Sequence, residues 1–262
     1  MMAGVHPAPM SSFEWVDTPW GMALQCVALR PHARHVFSAR GLDVPHADAG
    51  EGWGPLARWL GVPTDAVWRL RQVHGVAAHL DDVAPCAGTW PEGDLLATDR
   101  EDVALAIRTA DCVPLLYVDV RTGAVAAVHA GWRGTVAGAA GRIVRLMGDR
   151  FGTRPEDLIV AIGPCVGPEV YEVSQEVIDA FAAAWPGEAE RGTWWRARAE
   201  PGKYLLDLWT ITQDQLAMAG VGRARMHLAG LCTVTHAAVL HSHRVDGAAA
   251  GRMVAAIRRG HA

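Results

Sequence analysis

Short apolar runs separated by polar breaks dominate the middle of the chain. Val103–Ile107, Val113–Val118 and Ala124–Val128 are rich in Val, Leu, Ile and Ala, and they are bounded by Thr109–Asp111 and Arg121–Gly123. Runs of this length and composition predict strands, the last two joined as a hairpin. Thr135–Phe151 instead carries Val136, Ile143, Val144 and Met147 among alanines and breaks at Gly152 and Pro155, which predicts one helix. Leu158–Ile162 returns to a strand pattern. Ser174 is placed to cap a helix reaching about Trp185, and Asp207 to cap another that stops at Gly220. Met226–Ala229, Val239–His243 and the end of the chain read as further strands. Strands with inserted helices and adjacent hairpins indicate a mixed sheet in an α+β protein rather than a regular doubly wound one.

Between these elements, Gly41–Gly54 is rich in Gly, Asp and His and reads as a surface loop. Glu188–Gly202, with the pair Trp194 and Trp195, reads as a long loop or a flap over a cleft. Neither marks a domain boundary. Residues 1–12, with Pro7 and Pro9, are expected to form a mobile tail, and residues 13–262 a single domain.

Composition narrows the function. The 262 residues are 50% hydrophobic and 20% charged, enough to fold unaided around a substantial core. A net charge of -4 gives no basic footprint for nucleic acid or an anionic membrane, so a small-molecule partner is expected. No apolar run approaches a membrane span and Met1–Trp20 does not read as a signal peptide, so the expected location is cytoplasmic. The five cysteines, Cys26, Cys86, Cys112, Cys165 and Cys232, are scattered and odd in number, as expected of reduced thiols.

Cys112 stands just before one predicted strand and His129 at the end of its partner, so the hairpin brings both to one edge of the sheet. After His129, "HAGWRG" sets two glycines and Arg133 before a helix, a turn suited to an anion such as phosphate. His74, in "RLRQVHG", is a third candidate. Two imidazoles and a thiolate suit zinc with its fourth position open. Taken singly, each residue is equally readable as core or loop, and no CxxC or HExxH spacing ties the three together.

Longer motifs do tie them. "RQVHG" (71–75), "GDLLAT" (93–98), "TADCVPLL" (109–116), "HAGWRG" (129–134), "IGPCVGPEVYEV" (162–173), "DLW" (207–209), "CT" (232–233), "SHRVDG" (242–247) and "GRM" (251–253) follow one another in the order of the YfiH-type family. That family is called laccase-domain or multicopper polyphenol oxidase-like, and more recently purine nucleoside phosphorylase. The resemblance runs from about Phe37 to Met253. It implies a single αββα-layered domain with mixed sheets, a YfiH-like cysteine hydrolase-type fold, with zinc held by His74, Cys112 and His129 as the catalytic centre. It also implies phosphorolysis of adenosine, inosine, guanosine and methylthioadenosine, and deamination of adenosine. The chain departs from the family in having Gly41 alone after Arg40, Val234–His236 after "CT", and His243 where an aromatic is common, positions that bear on substrate preference.

Zinc at such a site would lower the pKa of a bound water from ~16 to about 7. Deamination also needs a proton shuttle, and Asp111, Glu172 and Asp94 are the candidates; Asp111, next to Cys112 on an extended chain, would face the other way. For phosphorolysis, forked guanidinium donors match phosphate oxygens, and Arg133 is the first choice, followed by Arg40 and Arg71. Trp132 or Trp194 could stack on a purine. Three rival readings stand: a copper polyphenol oxidase, a cysteine hydrolase using Cys112 with His129 as base, and an editing factor for peptidoglycan precursors.

Overall fold

The computed structural model describes residues 6–42, 44, 51–81 and 90–260. Residues 1–5 of the expected tail, Cys86 and half of the expected loop at 41–54 lie outside them. In chain order, β1 (Phe13–Thr18), β2 (Gly21–Cys26) and β3 (Ala33–Ser38) form an antiparallel meander, and α1 (Gly54–Leu60) precedes the short β4 (Val67–Trp68). Five strands follow: β5 (Ala78–Leu80), β6 (Leu95–Thr98), β7 (Ala104–Thr109), β8 (Val113–Asp119) and β9 (Val125–Ala130). Helices α2 (Trp132–Val136) and α3 (Ala139–Phe151) lead to β10 (Leu158–Ile162). The remainder comprises β11 (Glu172–Ser174), α4 (Gln175–Ala184), α5 (Pro186–Arg191), β12 (Trp195–Ala197), β13 (Lys203–Leu206), α6 (Leu208–Met218), β14 (Met226–Leu228), α7 (His243–Asp246) and β15 (Met253–Arg259).

One six-stranded sheet has the order β1-β2-β3-β15-β7-β4 and the other β14-β10-β8-β9-β6-β5; β11-β13-β12 form a third, small sheet. Both large sheets are mixed, since β4–β7, β5–β6 and β10–β14 are parallel pairs among antiparallel ones. Their facing sides share a core that includes Phe37, Leu105, Leu116, Ala161 and Met253. The outer side of the first is covered by α1 through Leu56 and Leu60, and that of the second by α3, α4 and α6 through Ile143, Phe181 and Leu216. The layers are therefore α, β, β and α. Strands β8 and β9, buried along their whole length, read as continuous apolar runs because both faces are covered. No helix among the described residues is long and apolar enough to cross a membrane.

Several local expectations change. The single helix expected at 135–151 is two, because Gly138 takes φ +74° and ends the hydrogen-bonded run between Val136 and Ala139. Val239–His243 is not a strand: Val239 and Leu240 donate their amides back to His236 O, so Leu240 is buried at a turn, and His243 is exposed at the start of α7. Glu188–Gly202 is structured, holding the end of α5, β12 and the turn that leads into β13, and Trp194 is fully buried with its indole N–H on Asp214. In the expected tail, Met10 donates its amide to Ala229 O and Pro7 O accepts from the Trp15 indole.

The sheets meet at the segment Thr109–Cys112. Thr109 ends β7 in the first sheet and Val113 starts β8 in the second, so the chain passes from one layer to the other within four residues. Asp111 makes that turn possible with φ +86°.

Candidate metal centre

The β8–β9 register pairs Val113 with Ala130 and Pro114 with His129, which brings Cys112, one residue before β8, beside the end of β9. His74 approaches from the loop after β4, at φ +61°. The ligand atoms of His74, Cys112 and His129 all lie within 4.8 Å of one another, and the two imidazoles stand edge to face with centroids 4.9 Å apart. His129 is buried, Cys112 half-buried and His74 exposed, so the cluster opens to one side. Gly131 is required here by crowding: a Cβ would sit 3.0 Å from both Cys112 Sγ and His74 Cδ2.

Asp94, fully buried just before β6, organises the cluster from behind. Its Oδ1 lies 2.7 Å from His129 Nδ1 and accepts the His74 amide at 3.0 Å; its Oδ2 accepts the Gly75 amide at 2.7 Å and the Val73 amide at 3.3 Å. One carboxylate thus fixes the tautomer of one ligand and the backbone bearing another. Burial works to raise its pKa, but the His129 hydrogen bond and charge, with the Gly75 and His74 amides, hold it below the usual carboxylate range.

The same balance acts on the ligands. Burial would raise the Cys112 pKa, yet His129 and then His74 bring the thiol down to about 6. Burial would lower that of His129, yet the Cys112 thiolate and Asp94 bring it up to about 9. Without a metal, the site therefore holds a thiolate beside an imidazolium.

These residues fit a single metal ion. Asp94 takes His129 Nδ1 and leaves Nε2 for the cluster, the thiol is already poised to ionise, and the donor set of two nitrogens and one sulfur suits a borderline-soft divalent ion with a coordination position to spare.

The cluster lies in a cavity of about 630 Å³ whose wall includes Gln72, Trp132, Tyr171 and four arginines, Arg108, Arg133, Arg244 and Arg252. Of the residues singled out in the sequence, the structure brings His74, Cys112, His129, Arg133 and Trp132 together. Asp94 sits behind His129 instead of on the wall. Arg40, Arg71 and Glu172 are not brought to the cavity. Arg40 is held by Asp246 at 2.5 Å and by the Ala237 and Leu240 carbonyls, Arg71 by Glu92, and Glu172 faces Arg198 and Lys203 at 3.6 and 3.5 Å. Asp111 does not face away: its left-handed backbone breaks strand alternation, and both Asp111 and Cys112 line the cavity. Its oxygens are occupied, Oδ1 by the Thr233 hydroxyl at 2.5 Å and Oδ2 by the Arg244 amide at 2.8 Å. Sequence reasoning missed Arg108, Arg244 and Arg252 as site residues, although "SHRVDG" and "GRM" carry the last two.

The family model described as multi-copper polyphenol oxidoreductase laccase matches residues 46–260. The chain is 38% identical over 213 residues to the purine nucleoside phosphorylase YlmD of Geobacillus stearothermophilus, covering 78% of this chain and 76% of that one. It is 41% identical over 203 residues to a purine nucleoside phosphorylase of Deinococcus radiodurans, covering 77% and 74%. The crystal structure of YlmD from Geobacillus stearothermophilus superposes with a TM-score of 0.82 at 33% identity, covering 90% of this chain and 96% of that one.

Proposed function

Because the chain belongs to the multi-copper polyphenol oxidoreductase laccase family, in which relatives carry the name purine nucleoside phosphorylase, we propose that it is a zinc-dependent purine nucleoside phosphorylase. Adenosine, inosine, guanosine and methylthioadenosine are its proposed substrates, with adenosine deamination as a second activity. The observation that carries this reading is the juxtaposition of the His74–Cys112–His129 cluster with an arginine-rich cavity wall. A nucleoside is uncharged at neutral pH and gives four guanidinium groups little to bind. Inorganic phosphate gives them a dianion.

In phosphorolysis a phosphate oxygen bonds to C1′ of the ribose as the C1′–N9 bond breaks, and its electron pair leaves with the purine, which then takes up a proton. The arginines orient phosphate for that attack, and Trp132, on the same wall, offers a ring face to the base. Cys112 and His129 act as ligands, with Asp94 holding His129 and the His74 loop in position. Zinc bound by the three residues supplies Lewis acidity.

A second reading is favoured by the Cys112–His129–Asp94 arrangement, in which a thiolate, an imidazolium and an orienting carboxylate resemble the parts of a cysteine hydrolase. One experiment separates the two: mass spectrometry of products from adenosine, with and without phosphate, in zinc-loaded and chelated protein. The proposed function gives adenine and ribose 1-phosphate only with phosphate and zinc, and inosine without phosphate. Full turnover by metal-free protein would move the assignment to the cysteine hydrolase.

A further inference from the structure

Two of the cavity arginines lie at one end of the first sheet. In the β7–β15 register, Arg108 stands opposite Val254 and Thr109 opposite Met253, so Arg252, one residue before β15, comes beside the end of β7 that carries Arg108, and both line the cavity. Both are held in place. The Gln72 side-chain amide clamps the backbone of Arg108, donating to its carbonyl and accepting from its N–H, each at 2.8 Å. Arg252 Nη1 donates to the Ala250 and Gly251 carbonyls at 2.7 and 3.0 Å.

Those two carbonyls are the acceptors the described residues offer to Arg252, and no carboxylate among them pairs with it. With Nη1 tied back, the side left over is the Nε–Nη2 edge, whose parallel N–H bonds meet two oxygens of one oxyanion. Asp111, the carboxylate on the cavity wall, bonds the Thr233 hydroxyl and the Arg244 amide instead of Arg252. Arg133 differs: it is exposed and its guanidinium lies over the Trp132 ring, 4.3 Å from the centroid.

We infer that Arg252, with Arg108 beside it, is the residue that grips the attacking inorganic phosphate, side-on through Nε and Nη2. This inference rests on the phosphorylase reading above. The test is initial-rate kinetics of the zinc-loaded full chain and of Arg252→Gln and Arg252→Lys, varying phosphate and inosine independently, with zinc content and circular dichroism as fold checks. Arg252→Gln should raise the phosphate KM about ten- to a hundredfold and leave the inosine KM within about twofold. Arg252→Lys, which keeps the charge but loses the fork, should fall between. If Arg252→Gln fails the fold check, Arg252→Lys carries the comparison. An unchanged phosphate KM in a folded variant, or a rise confined to the inosine KM, overturns the assignment. Absence of phosphate-dependent cleavage by the wild type would instead sink the phosphorylase reading. Arg252 is then tested by titrating inorganic phosphate against intrinsic tryptophan fluorescence, where equal affinity in wild type and variant would overturn it.

Discussion

Asp94→Asn isolates what one carboxylate contributes to the metal centre. The amide keeps one acceptor oxygen, enough for the His74 side or the Gly75 side but not both, and it loses the charge that holds His129. Metal affinity should fall about ten- to a hundredfold, measured by competition with a chromophoric chelator; an unchanged affinity would reduce Asp94 to a fold residue. The ligands themselves are testable by pH. In metal-free protein the Cys112 pKa of about 6 lies below the ordinary 9.0, so the thiolate persists down to about pH 6. Absorbance at 240 nm and iodoacetamide alkylation should rise across pH 6, and a rise only near pH 9 would contradict the site's electrostatics. His74, Cys112 and His129 stood out as candidates because each is a ligand-bearing type beside a glycine or a strand end, but only the ordered family motifs joined the three into one proposed centre. Arg252 was not, because one arginine among 24 basic residues gains meaning only from its register against Arg108 and the two carbonyls tying back its Nη1.

Elements were most legible where burial is uniform. Leu158–Ile162 coincides with β10 to the residue, since five apolar positions bounded by Asp157 and by Gly163–Pro164 are too few for a helix and fit a covered strand. The break between α2 and α3 was hidden because Val136 and Ile143 continue one apolar stripe through Gly138, and a lone glycine inside a helical pattern does not announce its φ. Val239–His243 misled for a related reason: Leu240 is fully buried, but in a turn. Gly138→Ala tests the break. A side chain at φ +74° is strained, and its Cβ would lie 3.2 Å from the Trp185 ring, which is itself fixed by a 2.8 Å bond to Val136 O. The variant should lose roughly 1–2 kcal/mol in urea unfolding, whereas no loss would mean that the two helices can merge.

For the whole molecule, acid stability is set partly by a group outside the site. His35 on β3 is fully buried, its Nε2 accepting from the Cys26 amide at 2.9 Å and its Nδ1 donating to Ala33 O at 3.1 Å. Protonation would aim a second N–H at the Cys26 amide. Burial, partly offset by the Ala33 hydrogen bond, lowers its pKa from 6.5 to about 4. The neutral form is thus favoured by folding; its stabilisation is complete above pH 6.5 and is lost as the pH falls toward 4. Between pH 7.5 and 5 the wild type should lose about 2 kcal/mol through this group. Gln offers one acceptor and one donor and does not titrate, so His35→Gln should flatten that part of the stability–pH curve; an equal slope would assign the acid sensitivity elsewhere.

The passage of the chain between layers at Thr109–Cys112 has a mechanical consequence. His74 hangs from a loop that leaves the first sheet, whereas Cys112 and His129 belong to the hairpin of the second. An ion shared among them is a cross-link between two plates, and its tension is felt wherever the plates touch. Chelation should therefore speed amide hydrogen exchange in β3 and β15, strands that supply no ligand, together with β8 and β9. Acceleration confined to β8 and β9 would mean that the plates are held by their shared apolar face alone.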